Sequence, residues 1–346
     1  FYRSQPDALE AGVKYLVQSA AGSVFILLGI ALTFAQTGVL NLNEIRLAVS
    51  AGGSSPIILS ASVLMLIGFG VKAALVPLHT WLPDAHSQAP SGISAMLSGI
   101  VIEAGLVALL PSTGAVIVSH TTWGYLIMAF GALNLLVGNL MALRQTQVKR
   151  MLAYSSVSQM GYILVGVGVA VYTLQPEGAA GGFFHVITHA LMKGAAFLAA
   201  GALLYALRMA HHNHEPLTVS DLDGAAQRYP VTAFFLAVAL LALGGLPPLA
   251  GFMSKWQIFV AGFQSGNSLA IALVVFAAIN SVLSLGYYAP LVNRMYRHEP
   301  SDLVKEGKPI SWVMVLPLVI MTAAIVTLGI WPPLVRWLTT PAAMSL

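Results

Sequence analysis

Six residues that carry or exchange protons stand inside otherwise apolar stretches: Lys72, Glu103, His185, His189, Lys193 and Lys255. Lys72 lies in Gly70-Val71-Lys72-Ala73-Ala74 and Glu103 in Ile100-Val101-Ile102-Glu103-Ala104, neither with a charged neighbour. Each requires water or a partner from another segment, because a charge at mid-membrane costs roughly 2.5–3.5 kcal/mol on insertion scales. His185, His189 and Lys193 recur at i, i+4 and i+8, which stacks them on one helix face over about 12 Å. Histidine titrates near neutrality, so such a column suits stepwise proton transfer wherever water or hydroxyl groups bridge it. Plainer roles exist for the same residues. A lysine reaches an interface along its own stem or pairs with a carboxylate as a packing device, and two histidines serve as hydrogen-bonded core residues. Simple neutral pairing does not cover three lysines and one carboxylate. A haem needs histidines opposed on different helices, which an i, i+4 pair does not supply.

The elements that must position these groups follow from composition. Of 346 residues, 58% are apolar and 8% charged, against about 25% charged in soluble domains. Lys and Arg number 16, Asp and Glu 12, for a net charge of +4. These values exclude a soluble enzyme, a disordered chain and a nucleic-acid binder. Cysteine is absent, which excludes disulfides, thiolate zinc sites and Cys-ligated iron–sulfur clusters. No glycine-rich dinucleotide fingerprint follows a strand pattern, so no redox centre or other catalytic centre is expected in this chain. The chain begins at Phe1 in a polar stretch without a signal-peptide pattern, from which a further N-terminal part is expected.

A crossing helix needs about 20 mostly apolar residues. That ruler predicts an all-α polytopic membrane protein of nine spans, near 14–36, 56–78, 91–110, 121–143, 148–172, 179–207, 230–262, 269–293 and 311–337. Two of them, 179–207 and above all 230–262, are too long for a simple crossing. Gly244-Gly245-Leu246-Pro247-Pro248 predicts a break in the latter, and Pro77 predicts another in 56–78. Helix breaks near charged residues mark ion sites in transporters. Here Lys72 and Lys255 flank the two breaks. With nine alternating spans, the loops on the starting side (face A) carry Arg3, Lys14, Arg144, Lys149, Arg150, Arg208, Arg228, Arg294, Arg297, Lys305 and Lys308. The opposite side, face B, carries only Arg46 and Arg336. The positive-inside rule makes face A cytoplasmic or its equivalent.

The run Val71-Lys72-Ala73-Ala74-Leu75-Val76-Pro77-Leu78-His79-Thr80-Trp81-Leu82-Pro83-Asp84-Ala85-His86 resembles the signature of the antiporter-like membrane subunits of respiratory complex I, a superfamily that includes Mrp-type sodium/proton antiporters and membrane-bound hydrogenases such as formate hydrogenlyase. Lys149-Arg150-Met151-Leu152-Ala153-Tyr154-Ser155-Ser156, then His185 to Lys193, then Gly244 to Lys255 resemble the family in the same order. Glu10 to Tyr15 and Asn280 to Leu285 resemble the N-type subunit, whereas the His/His/Lys column suits the L and Mrp types. The resemblance implies a fourteen-helix fold with two inverted five-helix repeats, each with a broken helix, of which this chain matches the last nine helices. It forms a single membrane domain over 1–346: 1–110 is the remainder of the first repeat, 118–293 the second, and 311–337 the final helix. By resemblance Lys72 is the central lysine of the first broken helix, Lys255 the terminal lysine of the second, and His185, His189 and Lys193 the relay between them. The position of Glu103 usually holds lysine. An acid there either pairs with Lys72 and holds it charged or is itself the exchangeable group.

Together these readings predict a proton-translocating subunit of a complex I-like, redox-driven pump of the quinone oxidoreductase or membrane-bound hydrogenase type. Protons would enter from face A near Lys72 and Glu103, cross His185, His189 and Lys193, and reach Lys255. His79, Asp84, His86, Pro77, Pro247 and Pro248 are assigned to proton entry or helix-break support, and Tyr154, Ser155 and Ser156 to a hydroxyl relay. The resemblance places quinone, flavin, iron–sulfur and nickel centres on partner subunits only. It implies further antiporter-like subunits and a peripheral redox arm as partners, in the energy-conserving membrane of a bacterium or archaeon, with no nucleic acid. The rival reading is an Mrp-type sodium/proton antiporter subunit without a redox partner, in which Glu103, Ser155, Ser156 and Thr188 would supply oxygen ligands. A spacer subunit with a decayed ion path is a third. His211-His212-Asn213-His214-Glu215 reads as a solvated loop rather than a metal site, and no metal is expected.

Overall fold

The computed structural model describes residues 6–344 except 54, 118, 212 and 214. Arg3, His212, His214 and the start of the chain therefore lie outside the described residues. The described chain is helical, with one isolated bridge pairing Gln147 with Thr218. Among the described residues, seven helices are long and apolar enough to cross a membrane, and two shorter apolar helices belong to interrupted spans.

Helix α1 (Pro6–Thr37) crosses first and exposes most of its apolar surface, Leu16 and Leu27 included. Exposed leucines along a crossing helix are its lipid contact, since the bilayer core replaces water as solvent there. Helix α2 (Leu42–Gly52) lies in the face-B loop, capped by Asn41, whose side chain accepts from the Asn43 and Glu44 amides. It buries Ile45 and Val49 against the end of the bundle. The span count did not foresee it because it is too short to cross.

Helix α3 (Pro56–Lys72) starts at a Ser55 cap and ends on Lys72 itself, so the lysine is the last residue before the break rather than an interior residue of a longer span. Ala74 takes a left-handed conformation (φ 53°) and Val76–Pro77 is cis. The chain then returns to face A through α4 (Trp81–Gln88). Asn134, from a neighbouring helix, clamps the break: its Oδ1 accepts from the Val76 amide at 2.8 Å and its Nδ2 donates to the Ala74 carbonyl at 3.3 Å. The Trp81 indole donates to the Val71 carbonyl at 2.9 Å. These bonds satisfy backbone groups that a proline-interrupted helix leaves orphaned.

The next crossing is α5 (Ser91–Met96) and α6 (Ile102–Val116), joined by a π turn at Leu97–Val101 immediately before Glu103. Helix α7 (His120–Leu143) is capped by Ser119 and packs on α8 (Val148–Thr173), which is buried almost without interruption from Val148 to Ala170. Close approach is possible because small residues face each other: a side chain at Gly138 would meet the Ser158 amide at 2.5 Å. Helix α9 (Glu177–Leu207) is continuous over 31 residues. The expectation that 179–207 is too long for one crossing is thus corrected. At about 1.5 Å per residue the helix spans roughly 46 Å, and its excess length emerges at face A. There Arg208 is held by Glu215 at 2.5 Å and Asp221 at 2.7 Å.

A short turn α10 (Ala225–Arg228) leads into α11 (Pro230–Gly244). Gly245 (φ 82°) supplies the left-handed cap that a side chain would resist. Pro247–Pro248 is cis, and α12 (Ala250–Gln264) resumes toward face B. Helix α13 (Ser268–Arg297) crosses back, and α14 (Asp302–Glu306) lies on face A. Helix α15 (Trp312–Ile330) is the last crossing. The expected span 311–337 ends early because Pro332 and Pro333 stop the helix, and α16 (Arg336–Met344) forms a separate helix packed beside α9. Lys149, read from the sequence as a loop cation, is buried at the start of α8.

Replacing Asn134 with Leu strips partners from the Val76 amide and the Ala74 carbonyl, and each unpaired buried group costs about 1–3 kcal/mol. We expect a lower thermal midpoint of the detergent-solubilised assembly. A midpoint equal to that of the parent protein would mean the break is held by other contacts.

Candidate functional site

The site grows from the carbonyl end of α11. The Gly245 turn returns the Gly245 and Leu246 amides to the Ala242 and Leu241 carbonyls, leaving the Leu243 carbonyl for side chains. Two donors converge on it: Lys255 Nζ at 2.8 Å and Gln159 Nε2 at 3.0 Å. Lys255 also donates to Ser281 Oγ at 3.0 Å and sits 4.2 Å from the centre of the Tyr162 ring. The lysine is thus held by oxygen acceptors and an aromatic face rather than by a carboxylate.

With its amide nitrogen committed to Leu243, Gln159 presents Oε1 to His185 Nε2 at 3.0 Å. His185 therefore carries a proton on Nε2, and its Nδ1 lies 2.8 Å from the Ser254 hydroxyl. Thr188 donates to the same hydroxyl at 3.1 Å. The His189 ring stacks on His185 with centroids 6.2 Å apart and planes at 20°. His189 Nδ1 meets Glu103 Oε1 at 2.6 Å. The π turn before Glu103 helps aim it inward, toward α9. Glu103, His189, His185, Gln159, the Leu243 carbonyl and Lys255 form one buried line from α6 to the second break.

Lys193 departs from that line. Its ammonium donates to the Leu152 carbonyl at 2.8 Å and to Ser155 Oγ, toward the face-A half of α8. Ser156 pairs instead with Ser98 of the π turn at 2.6 Å. The expected order, in which Lys193 hands on to Lys255, is therefore corrected: His185 adjoins the Lys255 cluster, and Lys193 is a branch on the face-A side. The i, i+8 spacing placed Lys193 on the correct face but left its partner open.

Lys72 stands apart as well. Its ammonium donates to Ser19 Oγ at 2.6 Å and the Ser19 carbonyl at 3.0 Å on α1, half-buried. The alternative in which Glu103 pairs with Lys72 is overturned, because the carboxylate is taken by His189. Asp84 lies at the face-A surface between Lys14 and Arg150, 3.1 Å from each, where it fastens α4 to α1 and α8. His79 sits in the break edge-on to Tyr154 with centroids 6.4 Å apart. Pro77 lies in the first break and Pro247 and Pro248 in the second. His86 is buried against Phe197. In the histidine tract, Asn213 Oδ1 turns back onto the Glu215 amide, a local loop bond.

Sequence reasoning missed Gln159, Ser254, Tyr162, Ser19 and Asn134. For Gln159 a signal existed: an amide in the middle of Val157-Ser158-Gln159-Met160 is costly to bury without a partner. Ser254 and Ser19 carried none, since serine back-bonds to its own helix without a partner.

An all-helical membrane chain with two interrupted helices and buried ionisable groups between them has the architecture of an antiporter-like membrane subunit. Residues 1–284 match the family described as NADH:quinone oxidoreductase/Mrp antiporter, TM, and the chain belongs to that family. It is 38% identical over 339 residues to the NADH-quinone oxidoreductase subunit N of Geotalea uraniireducens, covering 96% of this chain and 68% of the relative. It is 34% identical over 349 residues to the F(420)H(2) dehydrogenase subunit N of Methanosarcina mazei, covering 100% of this chain and 69% of the relative. Both are N subunits, the type that Glu10 to Tyr15 and Asn280 to Leu285 resemble. In fold it resembles a chain of the Mrp complex from Dietzia sp. DQ12-45-1b, with a TM-score of 0.86 at 24% identity over 98% of this chain and 68% of that one.

Gln159→Leu keeps the volume of the side chain and removes the one side-chain link between His185 and the Leu243 carbonyl among the described residues. We expect an assembly that forms normally but translocates fewer protons per electron, because proton transfer through this subunit slows by about 100-fold or more. Unchanged translocation would show that the amide is packing alone.

Proposed function

We propose that this chain is the proton-translocating membrane subunit of a complex I-like redox assembly, working without a redox centre of its own. The observation that carries this reading is the buried line from Glu103 through His189, His185 and Gln159 to Lys255, hydrogen-bonded at each end and carried across its middle by the stacked His189 and His185 rings, with His189 Nε2 unpartnered among the described residues. Ionisable groups in such a position are costly unless they serve a path. The family and its N-subunit relatives support the redox partner: electron donor, quinone and metal centres belong to neighbouring subunits, flavin and iron–sulfur or nickel centres among them.

Glu103 and His189 share a proton across 2.6 Å. Moving that proton interconverts a neutral pair and an ion pair at constant net charge; passing one on requires His189 to release a proton from Nε2 as Glu103 takes one up, so that no net charge is left in a low-dielectric site. Lys255 receives charge at the end of the line, where the Leu243 carbonyl and Ser281 replace hydration. Lys72, on its own cluster with Ser19, serves the first half of the subunit. A single charge moved against 100 mV requires about 2.3 kcal/mol, which is within reach of making or breaking one charged hydrogen bond. The halves correspond to 1–110 and 118–293 as two inverted repeats, with 311–337 beyond them. The support is one interrupted helix with an associated lysine in each. The basic residues of face A support a cytoplasmic orientation in a bacterial or archaeal plasma membrane.

A sodium site is less well supported. The oxygens it would need are dispersed: Glu103 is on His189, Ser155 on Lys193, Ser156 on Ser98 and Thr188 on Ser254.

The test uses inverted membrane vesicles of the native host, supplied in turn with NADH, reduced F420 and hydrogen, with acidification read by a pH-sensitive dye. Lys72→Ala and Lys255→Ala are each expected to lower the protons translocated per electron while the assembly remains intact, as proton transfer through this subunit slows by about 100-fold or more. Full coupling in both variants, or sodium-dependent proton exchange without any electron donor, would overturn the proposal.

A further inference from the structure

A cavity of about 310 Å³ lies at the face-A end of the bundle, outside the line described above. Its walls come from residues 87–92 after the first break, the last turns of α9, the loop at 215–217 and the start of α15. Lys149, the second residue of α8, lines it and is only 7% exposed. Among the described residues its ammonium makes one hydrogen bond, to the Ala89 carbonyl, and no ion pair. An ammonium has three donors, so two N–H groups are left over. Glu215, the carboxylate in the wall, does not answer them: it is held by Arg208 at 2.5 Å and stands largely in solvent.

The other end of the cavity is apolar and descends into the membrane. Leu198 lies nine residues before Leu207, the end of α9, which is about 14 Å along the helix, and Met314 and Pro317 of α15 complete that wall. Tyr205, 42% exposed, stands at the rim between the two helices. One cavity thus joins a buried cation at headgroup depth to an apolar wall at acyl depth. A buried cation without a counter-charge is costly, and an uncharged side chain would occupy the same place without that cost. Water alone would hydrate the ammonium but leave the apolar wall wet.

The geometry points to a binding site for one anionic phospholipid of the face-A leaflet, its phosphate on Lys149 and its acyl chains passing Leu198 and Tyr205 to the bilayer between α9 and α15. Phosphate oxygens accept the two remaining N–H bonds and supply the missing charge. Basic pockets between crossing helices on the cytoplasmic side recognise such headgroups, and the basic loops of face A mark that side. The cavity holds the phosphate and glycerol part of the lipid, and the chains lie outside it. A lipid seated there touches the segment after the first break, α9 and α15, and so fastens three parts of the chain at one point. Lys149 takes no part in the buried line from Glu103 to Lys255, so the site stands whether or not the subunit moves protons.

The experiment uses the complete assembly in native membranes, with the photoreactive residue p-benzoylphenylalanine in place of Leu198 and the cross-linked partner identified by its mass. The expected adduct is a phospholipid with an acidic headgroup, enriched about tenfold over its share of the membrane, the equivalent of one charged hydrogen bond. Lys149→Gln is expected to return the adduct to the membrane share, and Lys149→Arg to keep the enrichment. Excess inorganic phosphate, which has no acyl chains, should leave the adduct in place. If the probe at Leu198 prevents assembly, the same probe at Met314 reads the same cavity. Lipid retained by the unmodified assembly through detergent purification gives a reading without any probe: Lys149→Gln should carry one anionic phospholipid fewer. Adducts in membrane proportion, cross-links to a neighbouring protein instead of lipid, or an enrichment or retained lipid unchanged in Lys149→Gln would overturn the site. Displacement by inorganic phosphate alone would mean a free-anion site and overturn the lipid assignment.

Discussion

A carbonyl freed inside a membrane must find a donor, and the second half of this subunit is organised around one such group. The break after Gly244 leaves the Leu243 oxygen outside the helical ladder, in surroundings with no bulk water to solvate it. Lys255 and Gln159 both donate to it. That shared acceptor places an ammonium group next to an amide, and the amide in turn fixes the tautomer of His185. A continuous helix there would consume the oxygen in its own ladder and leave Lys255 without its anchor.

The first break satisfies its backbone differently. Asn134 takes the loose amide and carbonyl around Val76 and Ala74, so Lys72 is not needed to hold the turn and reaches out to Ser19 on α1. One lysine is thus built into its break and the other is free of it. Helix α8 ties both arrangements together: its Val157 carbonyl accepts from Asn134, while Gln159, two residues on, serves the Lys255 cluster. Burial on all sides explains why α8 tolerates so many glycines and serines, which let α7 and α9 approach closely.

Glu103 gives the middle of the line its chemical character. A carboxylate at 2.6 Å from an imidazole offers a site where a proton resides on either partner, whereas a lysine at that position would repel a protonated histidine. Where the resemblance implies a lysine this chain has an acid, and its partner is the histidine column rather than Lys72. The ammonium groups of Lys193 and Lys72 each donate to hydroxyl and carbonyl oxygens. The described part of the path therefore stores charge on hydrogen-bonded dipoles more than on ion pairs.

Much of this was legible along the chain. Hydrophobic stretches of crossing length located nine spans, because the bilayer imposes its thickness on each segment independently of the others. Gly-Gly and Pro-Pro steps located the second break, and the one-face spacing of His185, His189 and Lys193 followed from helix geometry alone. The partners were not legible. Whether Glu103 meets Lys72 or His189, whether Lys193 faces Lys255 or Ser155, and whether Lys149 is in a loop or under one depend on which helices stand side by side and how far each is rotated. Those choices are made by the contact of small residues between α7, α8 and α9 and by backbone groups freed at the breaks, neither of which is a property of any single segment.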